Sequence, residues 1–242
     1  MIIYPVGISK SCTAAAQALK RRRIPFTDHP SPEVTHLLLD VPSFDDCGRL
    51  RDGSNLQQIL ERLPQGITVI GGNLHHPELD GYALLDLLSD EDYLATNAAV
   101  TADCAIRVAG NHIETTFYDT PTLILGWGRI GKCLANMLRG LDCPVTIAAR
   151  KETDRAMIRA LQFTAVDFRQ ANQEAKKYPL IFNTVPEPVF HEAVDNTVAI
   201  DLASRPGFTG GTALTARGLP GKLAPESSGK LIANTIIRRL KL

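Results

Sequence analysis

An α/β fold with doubly wound parallel sheets in two domains and a cleft between them is predicted by three observations. Short apolar runs alternate with helix-forming stretches along nearly the whole chain, the pattern of parallel strands joined by crossover helices. One apolar run, Leu123 to Leu125, ends in Gly126, Gly128 and Gly131 and passes directly into a helical pattern. The 242 residues suffice for two small domains or one large one.

Taken in order, Ile2 to Ile8 is apolar enough for a buried strand, and Ser9 to Ser11 supplies a loop and a cap. Thr13 to Arg22 is rich in Ala, Leu and Gln, which are good helix formers. Thr35 to Val41 and Ile67 to Ile70 read as further buried strands, with Asn55 to Leu63 as the intervening helix and Gly81 to Leu88 as another. Thr101 to Ala109 reads as a helix linking the halves, stopped by Gly110 and Asn111. From Thr122 the alternation resumes with strand 122–125, helix 130–139, strand 144–148 and helix 153–161. A weak strand at 164–166, a polar helix near 169–176 and two buried strands at 179–183 and 197–201 follow. The chain closes with a helix from Ser227 to Leu240, whose Leu231, Ile232, Thr235, Ile236 and Leu240 recur at helical spacing. The expected domains are a small α/β substrate domain with the linking helix, 1–110, and a nucleotide-binding domain with the C-terminal helix, 111–242.

The glycine run carries the functional argument. In a dinucleotide-binding turn Gly126 allows the tight bend, Gly128 lets backbone approach a pyrophosphate, and Gly131 lets the helix pack on the sheet. Trp127, Arg129 and Ile130 fill the intervening cofactor-binding positions, and the helix start attracts the phosphates. The second strand of this unit ends in Arg150 and Lys151, where an NAD site usually places an acid for the ribose 2′-hydroxyl. A guanidinium there can grip a 2′-phosphate, so NADP is expected in preference to NAD. Both domains are thus expected to be Rossmann-like.

In open parallel sheets ligands bind beyond the carboxyl ends of the strands, so the residues just past each strand matter most. Thr184 and Pro186 in Asn183 to Pro186 are the further cofactor candidates. Arg205 in Asp201 to Gly207 is the best-placed cation for a substrate carboxylate, with pairing to Asp201 as the structural alternative. Ser227 and Ser228 open the last helix as a site for a carboxylate, and Thr101 would meet the substrate from the linking helix. Asp103 is the acid candidate for proton transfer by position, with a surface helix acid as the alternative.

Composition excludes other classes. An apolar fraction of 44% and a charged fraction of 21% are ordinary for a globular protein. With 26 basic and 26 acidic residues a nucleic-acid or membrane-surface role has no electrostatic support. Lys20 to Arg23 ends a helical run, where cations suit the helix dipole. No stretch reaches the length of a membrane span, and no signal-peptide pattern opens the chain. The 5 cysteines are scattered, as expected of reduced thiols in a cytoplasmic protein, and the adjacent His75 and His76 point in different directions, so no metal site is expected.

Five segments together resemble the A subunit of bacterial dipicolinate synthase. They are Leu125 to Ala135, Ala149-Arg150, Asn183 to Pro186, Asp201 to Gly207 and Gly218 to Asn234, in matching order and spacing across the second half. The resemblance implies a two-domain NADP-linked oxidoreductase that works with a flavoprotein-like B subunit during sporulation. The implied reaction is a two-electron oxidation of a cyclic dicarboxylate of dihydrodipicolinate type to dipicolinate. The first half departs from the family: Val6 to Lys10 stands where a Gly-Gly-Asp-type loop would be, in a shorter N-terminal domain. Val100 to Cys104 replaces Pro-Thr-x-Glu-Gly, keeping Thr101 and shortening the acid to Asp103.

Two other readings remain open. One is another NAD(P)-dependent dehydrogenase of the D-2-hydroxyacid or shikimate type, although no histidine follows strand 197–201, which His191 precedes. The other is a nucleotide-binding subunit without catalysis. A homodimer is expected only by analogy with other two-domain Rossmann enzymes.

Overall fold

The computed structural model describes residues 1–191, 197–209 and 213–242. They divide into two compact units, Met1–Asn97 with Pro220–Leu242, and Ala98–Leu219.

In the first unit β1 (Ile3–Pro5), α1 (Lys10–Arg21), β2 (His36–Leu38), α2 (Leu56–Leu60), β3 (Thr68–Gly71) and β4 (Ala83–Asp86) follow one another. The four strands form one parallel sheet in the order β1-β2-β3-β4. Successive side chains on a strand point to opposite faces, and both faces here are dry. Ile3, Leu38, Ile70 and Leu85 pack with Cys12, Ala15 and Leu19 of α1, whereas Leu37, Leu39 and Val69 pack with Leu56 and Leu60 of α2. Ser9 caps α1 by accepting from the Cys12 amide, and Lys20 and Arg21 occupy its last turn, so the basic run sits where the helix dipole favours it.

The segment expected as a helix at Gly81 to Leu88 is strand β4 followed by a short 3-10 turn. Its Ala and Leu residues are good helix formers, but pairing of Ala83 through Asp86 with Thr68 through Gly71 extends the sheet and overrides that preference.

From the first unit α3 (Glu91–Gly110) runs on into the second. There follow β5 (Thr122–Leu125), α4 (Arg129–Arg139), β6 (Val145–Ala148), α5 (Glu152–Ala160), β7 (Thr164–Val166) and α6 (Phe168–Gln173). Then come β8 (Leu180–Asn183), β9 (Val198–Asp201), β10 (Leu214–Thr215), α7 (Leu219–Leu223) and α8 (Pro225–Leu240). All pairings in the second sheet are parallel, and its strand order is β10-β9-β8-β5-β6-β7. The chain enters at β5, winds outward to β7, and returns to the other side of β5 at β8. Between β5 and β8 the winding reverses, which is the crevice where doubly wound sheets bind ligands.

The C-terminal helix, expected with the second domain, lies in the first unit, and the division falls at Asn97 rather than near residue 110. Ile232, Ala233 and Ile236 of α8 are buried in the core that α1 shares. Gly229 sits so close to α1 that an added Cβ would lie 2.5 Å from the Ala14 Cβ. Asp90, just before α3, accepts from the Tyr93 amide and from Arg238 and Arg239 at the end of α8. No helix among the described residues is long and apolar enough to cross a membrane.

Candidate nucleotide-binding site

The turn after β5 is built by its glycines. Gly126 has φ +104°, a backbone region that other residues rarely adopt, and a Cβ on it would strike the Thr184 hydroxyl. Gly131 lies against the Gly126 carbonyl, which any Cβ there would hit. Gly128 differs: it precedes α4 without a side-chain cap, and a Cβ on it would meet nothing within 4 Å. The first glycine shapes the turn, the third seats the helix, and the second keeps space clear. Amides at a helix start have no intrahelical acceptors, so this space faces a surface suited to an anion.

A pocket of about 300 Å³ opens at this point. Gly126, Trp127 and Gly128 line it from the loop after β5, Ala149, Arg150 and Lys151 from the loop after β6, and Val185, Pro186 and Glu187 from the loop after β8. Asp154 and Phe168 complete its polar and apolar walls. Trp127 is held edge-on to Phe163, with ring centroids 6.3 Å apart, and Lys132 lies over its ring.

Each loop is held by bonds from outside the pocket. Arg155 of α5 donates from Nη1 to the carbonyls of Ala149, at 2.7 Å, and Arg150, at 2.8 Å. Glu152 anchors the same guanidinium through Nε at 2.9 Å. The Arg150 backbone is thereby fixed while its side chain stays exposed. On the facing loop the buried Asn183 donates to the Val185 carbonyl and to the Asp201 carboxylate, and accepts from the Val185 amide.

Asp201 is fully engaged: it accepts from Asn183, from the Ala203 amide at 3.1 Å and from the Gly207 amide at 2.9 Å. The alternative pairing of Asp201 with Arg205 is therefore not made. Arg205 is exposed in the loop after β9, on the same carboxyl edge of the sheet as Gly126, with no ion pair among the described residues.

Of the sequence candidates, the pocket brings together Gly126, Trp127, Gly128, Arg150, Lys151 and Pro186. Arg129, Ile130 and Gly131 form the first turn of α4 and do not line it. The Thr184 hydroxyl is spent on the Leu125 carbonyl at 2.8 Å, bracing the glycine turn from below rather than facing the pocket. Thr101 is buried on α3. Asp103 forms an ion pair with Arg107 one turn on, at 2.6 Å, which is the surface-helix arrangement weighed as its alternative.

Of the two serines expected to open it, only Ser227 lies in the first turn of the last helix. It begins at Pro225, Ser228 is buried, and the Ser228 amide already donates to the Ala224 carbonyl at 3.0 Å. Both serines belong to the first unit. Ser9, in the loop after β1, is occupied as well, its hydroxyl and amide bonded to Asp40.

Sequence reasoning missed Glu187 and Asp154 in the pocket and Arg155 behind it. Glu187 had a signal, since it directly follows Asn183 to Pro186 at a strand end. Arg155 had none, because its value lies in reaching two carbonyls that only the folded turn presents. The five cysteines are free thiols, and burial, aided by the Asp40 charge, pushes the Cys12 thiol up to about 12. His76 accepts from the Glu78 amide and stacks on Phe44, and no group of three or more His, Cys, Asp or Glu among the described residues could hold a metal ion.

No family model matches the chain. It is 28% identical over 202 residues to the dipicolinate synthase A subunit of Bacillus subtilis, covering 76% of this chain and 68% of that protein. The crystal structure of the dipicolinate synthase A subunit from Bacillus halodurans superposes with a TM-score of 0.84 at 22% identity, over 100% of this chain and 98% of that one. The NAD-complexed D-isomer specific 2-hydroxyacid dehydrogenase of Lactobacillus delbrueckii ssp. bulgaricus shares the architecture at a TM-score of 0.54 and 11% identity, over 99% and 96% of the two chains. The chain is thus similar in sequence to a dipicolinate synthase A subunit, and its α/β fold is shared with the solved structures of such a subunit and of a 2-hydroxyacid dehydrogenase.

Proposed function

We propose that this protein is an NADP(H)-dependent oxidoreductase resembling the dipicolinate synthase A subunit and acting on a cyclic dicarboxylate. The observation that carries the reading is the pocket at the reversal of the second sheet, where Gly128 keeps an anion-sized approach clear and Arg150 and Lys151 stand at the end of β6. The dinucleotide, when bound, supplies a two-electron acceptor for hydride from a ring carbon. The chain's own part is to seat the pyrophosphate at the start of α4, engage the 2′-phosphate through Arg150, and cover the adenosine side with Val185 and Pro186. Arg205 is the cation proposed for a substrate carboxylate, and Asp103 the group proposed to take the proton lost as the ring becomes aromatic. A flavoprotein-like B subunit is the proposed partner, carried over from the resemblance.

One observation favours a second reading, a nucleotide-binding subunit without catalysis: Asp103 is already committed to Arg107. A single experiment separates the two. NADPH formation is measured with dihydrodipicolinate-type substrates, with and without a partner flavoprotein, alongside NADPH titration of the same protein. Binding with turnover supports the enzyme, binding without turnover under any condition supports the non-catalytic role, and absence of binding removes both.

A further inference from the structure

We infer that Glu187 sets the balance between NADP and NAD at this site by competing with the 2′-phosphate for Arg150. This rests on reading the pocket as a dinucleotide site. Glu187 Oε2 lies 3.5 Å from Arg150 Nη1, and both residues line the pocket from opposite loops. The cation expected to meet the phosphate therefore already has a carboxylate beside it. Asp154 adds a second carboxylate to the same lining, so the pocket's two cations are matched by two acids.

The geometry makes this a competition rather than a fixed structural pair. The side chains are 75% and 61% exposed, and such pairs contribute little to stability, so a ligand can break this one. Arg155 holds the carbonyls of Ala149 and Arg150, and Asn183 holds the start of the facing loop. The two side chains can separate without either loop moving. A phosphate at Arg150 must displace Glu187 and then remain near its negative charge. A 2′-hydroxyl, in contrast, can donate to a carboxylate, the usual role of the acid in an NAD site. Glu187 supplies from the loop after β8 the acid that β6 lacks at its end.

The test is calorimetric titration of NADPH and NADH into the unmodified protein, Glu187→Gln, Asp154→Asn and Arg150→Ala. Glu187→Gln is expected to tighten NADPH binding about five- to tenfold, the scale of one like charge removed at short range in water, without tightening NADH. Asp154→Asn, which removes a charge of the same sign that makes no ion pair with Arg150 among the described residues, is expected to change the ratio less. If NADPH binds and depends on Arg150 but Glu187→Gln leaves the NADPH-to-NADH ratio unchanged, the inference fails and the site reading stands. Equal shifts from Glu187→Gln and Asp154→Asn would overturn it also, leaving only a general field. If the unmodified protein binds neither dinucleotide, both the site reading and the inference fall.

Discussion

After β1 and after β5 the chain makes the same passage, from a strand end through a short turn into a helix whose first amides need acceptors. In the first unit the Ser9 hydroxyl accepts from the Cys12 amide, and the turn before it is filled by an internal carboxylate. Asp40 takes the Ile8 amide at 3.1 Å, the Ser9 amide at 3.0 Å and the Ser9 hydroxyl at 2.5 Å, and it is buried in doing so. In the second unit the turn is left open, with Gly128 preceding α4 and no side chain capping it. The registers make the two turns directly comparable. Pro5 pairs with Leu38 across β1 and β2, and Leu125 pairs with Ala148 across β5 and β6. Two residues beyond Leu38 stands Asp40, and two beyond Ala148 stands Arg150. One position in a common supersecondary unit thus carries a carboxylate that fills its own turn, or a guanidinium beside an open one. On the proposed function, that charge as much as the glycines distinguishes the turn that would receive a dinucleotide.

The largest expected effect breaks the filled turn. Asp40→Ala should destabilise the protein by about 3 kcal/mol, because the half-buried Ile8 and Ser9 amides and the Ser9 hydroxyl together lose a charged acceptor, and urea unfolding would measure it. Affinity for NADPH, extrapolated to full folding, should not change. A loss of affinity comparable with that of a pocket variant would show that the two turns are not independent.

Gly128→Val tests the open turn. With space around Gly128, the variant should fold with an unchanged melting temperature, yet lose NADPH affinity by a hundredfold or more, about 2.7 kcal/mol. Retained NADPH fluorescence enhancement in the folded variant would mean the cleared space serves no ligand. Arg150→Ala is a smaller perturbation. It should weaken NADPH by about 2 kcal/mol, the scale of one charged hydrogen bond, and leave NADH nearly untouched. Equal affinities of the unmodified protein for the two cofactors would remove the role given to this guanidinium.

The smallest effect extends the theme of internal anions in the first unit. Burial alone would raise the Asp90 carboxyl, but the Tyr93 amide and the guanidiniums of Arg239 and Arg238 outweigh that and hold it at about 2. A carboxylate with a depressed folded value stabilises above its unfolded value, and that stabilisation is lost as pH falls through the folded one. Unfolding followed between pH 5 and pH 2 should therefore show stability declining from about pH 4 downward. In Asp90→Asn that part of the decline should be absent, with lower stability at neutral pH. An identical acid profile in the variant would show that Asp90 does not couple α3 to α8 through its charge.

Much of the second unit was legible because local and global preferences agree there. Strands 122–125 and 164–166 lie where the apolar runs put them, and the glycine turn has its expected form, since the positive φ of Gly126 and the contact of Gly131 with the Gly126 carbonyl are demands of the turn itself. The cap at Ser9 was legible for the same reason. Segment 81–88 was not: its composition suits a helix, and only the free edge of β3 makes it a strand. Among strand-end residues the motif Asp201 to Gly207 read as a ligand site, whereas Asp201 proves to be a brace for the loop that carries Pro186 and Glu187.

By itself the sequence determined the alternation of strands and helices, the position of the glycine turn and the cation at the end of β6. These depend on periodicity and on backbone demands that a few adjacent residues satisfy. Only the tertiary structure decided that α8 packs in the first unit, that Asp40 fills the first turn, and that Glu187 stands beside Arg150. An amphipathic helix records that one face must be buried but not against what, and a carboxylate records a charge but not its partner. Those choices belong to groups 30 or more residues apart in the chain, Asp40 and Ser9 at 31, Arg150 and Glu187 at 37, and folding alone brings them within reach.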